Sequence, residues 1–217
     1  MGLFDRNKPF DRSQSLRAAS QAKARGKHKK ALALYEQVLA LEPNNTALYR
    51  EVAPLLVRVQ RSDEAWLSFR VAAEGLVQQG FIEKAIGIYR EATHFLPRES
   101  AAWLALADLQ LQRGHREDAV AILLQGRRHF RSRRQRPEAM QLLARARNIA
   151  PSHFEAGFDL ARLRAKMGDS RGAWRLFEEL VRIATRRQRR RIRGAQLRLW
   201  PAPSTACRWL RTAVFGR

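Results

Sequence analysis

The chain has 217 residues, 45% of them hydrophobic, enough apolar material for a sizeable core and too much for a disordered polyelectrolyte. A formal charge of +22 points to acidic or polyanionic partners, and the bias of 35 arginines against 7 lysines fits a GC-rich genome. No apolar run approaches the ~20 residues of a membrane span, and the single cysteine, Cys207, leaves no internal disulfide and suits a reducing, cytoplasmic setting.

Residues 1–11 read as a lead-in, Met1-Gly2-Leu3-Phe4-Asp5-Arg6 having no apolar core of the secretory kind. Ten helices are predicted after it, over about 12–25, 28–42, 46–59, 62–79, 82–95, 99–113, 116–132, 137–149, 153–167 and 170–186. Ala31, Ala65, Ala85, Ala119, Ala139 and Ala173 mark them at alternating spacings of 34 and 20. Pro43, Pro97 and Pro151 keep the combined beat of 54, so three helices form the repeating unit. Within each helix the apolar residues recur at helical spacing, as Ala31, Leu34, Tyr35 and Val38 do. Alanine lets two axes approach, and the bulky residue one turn on (Tyr35, Phe69, Tyr89 or Phe177) fills the space beside it. Helices 62–79 and 116–132 serve two neighbours each. Pro54 falls inside helix 46–59 and predicts a kink or a delayed start.

The beat fades after Phe177, where Arg193 replaces the expected alanine and Thr205 the expected proline. Residues 187–217 are read as an Arg-rich C-terminal tail, with Ser204 to Phe215 a short amphipathic segment carrying Trp209, Leu210, Ala213 and Val214 on one face. From Arg182 onward the chain holds eleven arginines and no acid. A second basic run, Arg127 to Arg136, holds six more and is read as solvated surface.

Residues 26–45, with Gly26, Ala31, Tyr35 and Pro43, closely resemble the second half of a tetratricopeptide repeat, and Gly80, Ala85, Tyr89, Ala92 and Pro97 repeat the pattern. First-helix signatures follow at Trp103, Leu106, Ala107 and Gly114, and again at Leu160, Ala161 and Gly168. The resemblance covers roughly residues 12–186 and implies an all-α, helical-hairpin solenoid of about ten helices in a three-helix super-repeat, with a basic C-terminal tail. It also implies a non-catalytic scaffold that binds a protein or peptide in a groove. Arg50 and Arg58 on helix 46–59, with Phe158, Arg162 and Lys166 on helix 153–167, are the groove candidates, and their charge favours acidic segments.

The tail offers an alternative partner class. Arg186, Arg187, Arg189, Arg190, Arg191 and Arg193, with Trp200 and Trp209 as stacking rings, suit nucleic acid. The same residues suit an anionic membrane surface, which would make the cytoplasmic protein peripheral. No catalytic, cofactor or small-molecule site is expected: His28, His94, His115, His129 and His153 lack metal-ligand spacing, and Gly26-Lys27 lacks the rest of a phosphate loop. Glu64, Glu83 and Glu117-Asp118 sit at helix starts, where carboxylates complement the helix dipole.

Overall fold

Backbone groups that cannot reach water must pair locally, and this chain solves that with helices joined by short turns. The computed structural model describes residues 11–202 together with 204, 205, 207 and 210; among them there is no strand. In chain order the helices are α1 (Arg12–Ala24), α2 (His28–Leu41), α3 (Thr46–Arg58), α4 (Ser62–Gln78), α5 (Ile82–Phe95) and α6 (Ser100–Gln112). Then come α7 (Arg116–Arg127), a short 3₁₀ turn (Arg133–Gln135), α8 (Arg136–Ile149), α9 (Phe154–Lys166), α10 (Ser170–Ile183) and α11 (Arg186–Leu199).

The triplet rhythm holds to the residue. Shifted by 54, the bounds of α2, α5 and α8 coincide, as do those of α3, α6 and α9, while α4, α7 and α10 share their first residue. The turns explain this regularity. Gly26, Gly80, Gly114 and Gly168 adopt φ of +70° to +94°, and Gln60, 54 residues before Gly114, adopts the same left-handed form at 63°. In each case the following N–H reaches back five residues to close the helix, as from Lys27 to the Ala22 carbonyl at 2.9 Å and from Asp169 to that of Arg164 at 3.0 Å.

Two compact units result, Met1–Ala102 and Trp103–Arg217. In the first, each helix from α1 to α4 packs on its successor, so α4 is shared between α3 and α5. Ala31, Ala65 and Ala85 have no exposed surface, and Tyr35, Phe69 and Tyr89 are buried beside them. In the second unit α7, α8, α9 and α10 pack in succession, and α11 lies against both α9 and α10. Its core gathers Trp103, Leu123, Leu142, Leu143, Phe177 and Leu180.

Three local expectations change. α3 runs through Pro54 and starts on the same beat as α6 and α9, so the proline does not delay it. α7 ends at Arg127 rather than near 132, and a loop with the 3₁₀ turn follows. Beyond α10 the chain folds again as α11, an eleventh helix where an Arg-rich tail is expected. The lead-in except Asp11, and Trp209, Ala213, Val214 and Phe215 of the amphipathic segment, lie outside the described residues.

Candidate ligand cleft

α11 starts with a reciprocal cap: the Gln188 N–H donates to the Thr185 hydroxyl at 3.4 Å, and the Thr185 N–H donates to Gln188 Oε1 at 2.9 Å. It then buries Ile192 and Gln196 and leaves most of its arginines outside. Gln196 is 1% exposed, a costly place for an amide unless it is bonded. It donates to Glu178 Oε1 of α10 at 3.1 Å and accepts from Arg193 Nη1 at 2.7 Å. Arg193 also meets Glu178 Oε1 at 2.6 Å, so one carboxylate of α10 anchors two residues of α11.

A second anchor joins α11 to α9. Arg191 makes a two-pronged pair with Glu155, at 2.6 and 3.0 Å, while its guanidinium lies 5.0 Å from the centre of the Phe158 ring. Arg162 covers the same ring at 5.7 Å. The guanidinium of Arg191 holds the Glu155 carboxyl below the usual carboxylate range, and that bond raises Arg191 in turn. Phe158 continues an aromatic ladder, 5.4 Å from Phe154 and 5.9 Å from Phe177; Trp200 closes it at 6.3 Å from Phe177 and 5.4 Å from Trp174.

Between α9 and α11 this packing leaves an open cleft of about 610 Å³. Phe158, Ala195 and Leu199 supply its apolar surface, and Arg162, Lys166, Arg187, Arg190, Arg191 and Arg198 its charge. Three of the groove candidates and three of the tail candidates therefore meet in one place. Arg198 was missed by sequence reasoning; the signal for it was the stripe Ile192, Ala195, Gln196 and Leu199, which fixes the helix face that Arg198 flanks. A hollow of about 650 Å³ on α7, bounded by Val120, Leu124, Arg116, Arg128 and Glu117, is less charged.

The remaining candidates are placed elsewhere. Arg50 and Arg58 lie exposed on α3 in the first unit, with Arg50 donating to Glu91 at 3.0 Å. Arg186 is exposed at the start of α11, and Arg189 donates to the Ala184 carbonyl at 3.1 Å. Arg193 is engaged with Glu178, and Trp200 is packed in the ladder rather than presented as a free ring. Trp209 is outside the described residues. His153 accepts the Ala156 N–H at 3.3 Å and so caps α9. Among the described residues no cluster of three His, Cys, Asp or Glu could hold a metal ion, and no helix is long and apolar enough to cross a membrane.

A family model described as a tetratricopeptide repeat matches residues 76–136. No curated protein matches. Among solved structures, the chain is similar to a tetratricopeptide repeat protein from Parabacteroides merdae: 15% identity over 95% of this chain and 93% of that one, TM-score 0.30. It is also similar to pilF of Pseudomonas aeruginosa, at 14% identity over 94% of this chain and 89% of that one, TM-score 0.33. YrrB, a TPR protein with an unusual peptide-binding site, shows 14% identity over 91% of this chain and 90% of that one, TM-score 0.29.

Proposed function

We propose that this chain, a tetratricopeptide repeat protein by its matched segment and its recurring helix triplet, is a non-catalytic scaffold that captures an acidic segment of a protein partner between α9 and α11. One observation carries the reading: six cations from two helices converge over an apolar floor. The second unit holds 26 basic residues against nine acidic ones. Six of those nine, Asp108, Glu155, Asp159, Asp169, Glu178 and Glu179, already have a cation within 4 Å; Glu155 and Asp159 pair with Arg191 and Arg162 of the cleft itself, so its charge is offset in part and remains positive.

An extended peptide with carboxylates flanking one apolar side chain matches this chemistry. The apolar group would meet Phe158 and Leu199, and the carboxylates would meet Arg162, Lys166, Arg187, Arg190 and Arg198 in two-pronged or point contacts. Arg50 and Arg58 are proposed as further partner contacts on the first unit. A reducing, cytoplasmic setting, suggested by the lone cysteine, belongs to the same proposal.

The test is the affinity of the full chain for a fluorescein-labelled, glutamate-rich peptide carrying one leucine. Reversing Arg187, Arg190 and Arg198 to Glu should weaken binding by at least tenfold at low salt. Unchanged affinity would remove the cleft from the account.

A further inference from the structure

The loop after α7 is the largest departure from the 54-residue beat among α2 to α10. α4 ends at Gln78, and by the 54-residue beat α7 would run to position 132; it stops at Arg127, five residues early. The resulting loop, 128–135, carries Arg128, Arg131, Arg133 and Arg134, all exposed, and no acid. The loop is nonetheless built. Arg127 Nη1 donates to the Phe130 carbonyl at 3.1 Å, Arg131 Nε to that of Arg128 at 3.0 Å, and the Ser132 hydroxyl to Gln135 Oε1 at 2.9 Å. Phe130 is buried beneath it.

His129 is the exception to this burial. Its ring is exposed and stacks on Trp103, centroids 5.5 Å apart and planes 21° from parallel. Trp103 is itself buried and fixed, because Gly126 lets it approach so closely that a Cβ there would come within 2.6 Å of the indole. An exposed imidazole, backed by a buried indole, thus belongs to a loop that carries four exposed arginines.

We propose that this loop is a second ligand site, independent of the cleft, which contacts single-stranded nucleic acid. A base stacks on the open face of His129, and phosphates meet Arg128, Arg131, Arg133 and Arg134. Stacking rings among cations are what unpaired bases and their backbone select, because every base has a π-face and every linkage a charge. A membrane surface would also need an apolar side chain to enter the interface, and the loop's only large one, Phe130, points inward. An acidic peptide would gain from the arginines but not from the ring.

Fluorescence anisotropy with labelled single-stranded RNA and DNA oligonucleotides on the full chain tests the assignment. Four phosphate contacts predict a log–log salt slope of about −2.8, and R133E/R134E should cut it to about −1.4 with a loss of roughly tenfold in affinity. His129→Ala should weaken binding severalfold at unchanged slope, and His129→Phe should retain it. Reversal of Arg187, Arg190 and Arg198 should leave the His129 effect intact, which separates this site from the cleft. The RNA and DNA arms identify which polymer binds better, and binding of either supports the site. The proposal is overturned by no binding at low salt, by full binding of R133E/R134E, or by equal loss with His129→Phe and His129→Ala. It is overturned too if R133E/R134E costs anionic vesicles or the glutamate-rich peptide as much affinity as it costs the oligonucleotides.

Discussion

Arg193 of α11 and Glu178 of α10 meet at 2.6 Å, with the arginine side chain only 13% exposed. This pair, completed by Gln196, holds a helix whose composition alone would favour solution. Glu178→Ala strands a nearly buried guanidinium. Because Glu178 itself is 35% exposed, the cost should be about 1–2 kcal/mol rather than the full penalty of a dry pair. Hydrogen exchange should rise along α11 before any other helix, and the melting temperature should fall by about 2–6 °C. Unchanged exchange of α11 would show that the pair is incidental.

Glu155 gives the α9–α11 contact a pH dependence. Its carboxyl is held below the ordinary range by Arg191, so its folded pKa is depressed. The stability it contributes is present above its unfolded value of about 4.3 and is lost as pH falls through the folded value. Acid should therefore loosen α11 from α9 below about pH 4, and Glu155→Gln should abolish that step. An NMR titration of the Glu155 carboxyl that gives an ordinary midpoint would contradict this.

How much of this was readable in advance depends on how local each constraint is. Ala31, Ala85 and Ala139 set helix spacing by their own size, and Gly26, Gly80, Gly114 and Gly168 set turns by their own backbone freedom, so the triplet is legible. α11 is hidden because its stripe, Ile192, Ala195, Gln196 and Leu199, is interleaved with arginines and falls off the 54-residue beat. The Thr185–Gln188 cap was the available signal. The cleft is one step further off, since it exists only once Arg191 finds Glu155, 36 positions away. The early end of α7 has no comparable signal, because nothing in 127–132 forbids helix.

Two helix glycines should respond in opposite ways to alanine. At Gly126 the added methyl meets the Trp103 ring at 2.6 Å, and overpacking should cost about 1–3 kcal/mol. At Gly87, inside α5, nothing lies within 4 Å, so alanine should stabilise by about 0.5–1 kcal/mol through helix propensity. Thermal melts of G126A and G87A that move in the same direction would refute the close approach.

Burial raises the Tyr89 phenol to about 12, with Glu74 adding to the shift and Arg70 opposing it. The folded state thus favours the neutral form. Stability tied to it is complete below about pH 10 and falls as the unfolded phenol ionises above that. Absorbance titration should show a tyrosinate step near 12 that Tyr89→Phe removes.

The most direct measurement of the central claim is hydrogen–deuterium exchange of the full chain with and without saturating glutamate-rich peptide. A peptide seated in the cleft adds protection on α9 from Phe158 to Lys166 and on α11 from Arg187 to Leu199. Binding that leaves both segments unprotected would contradict that claim.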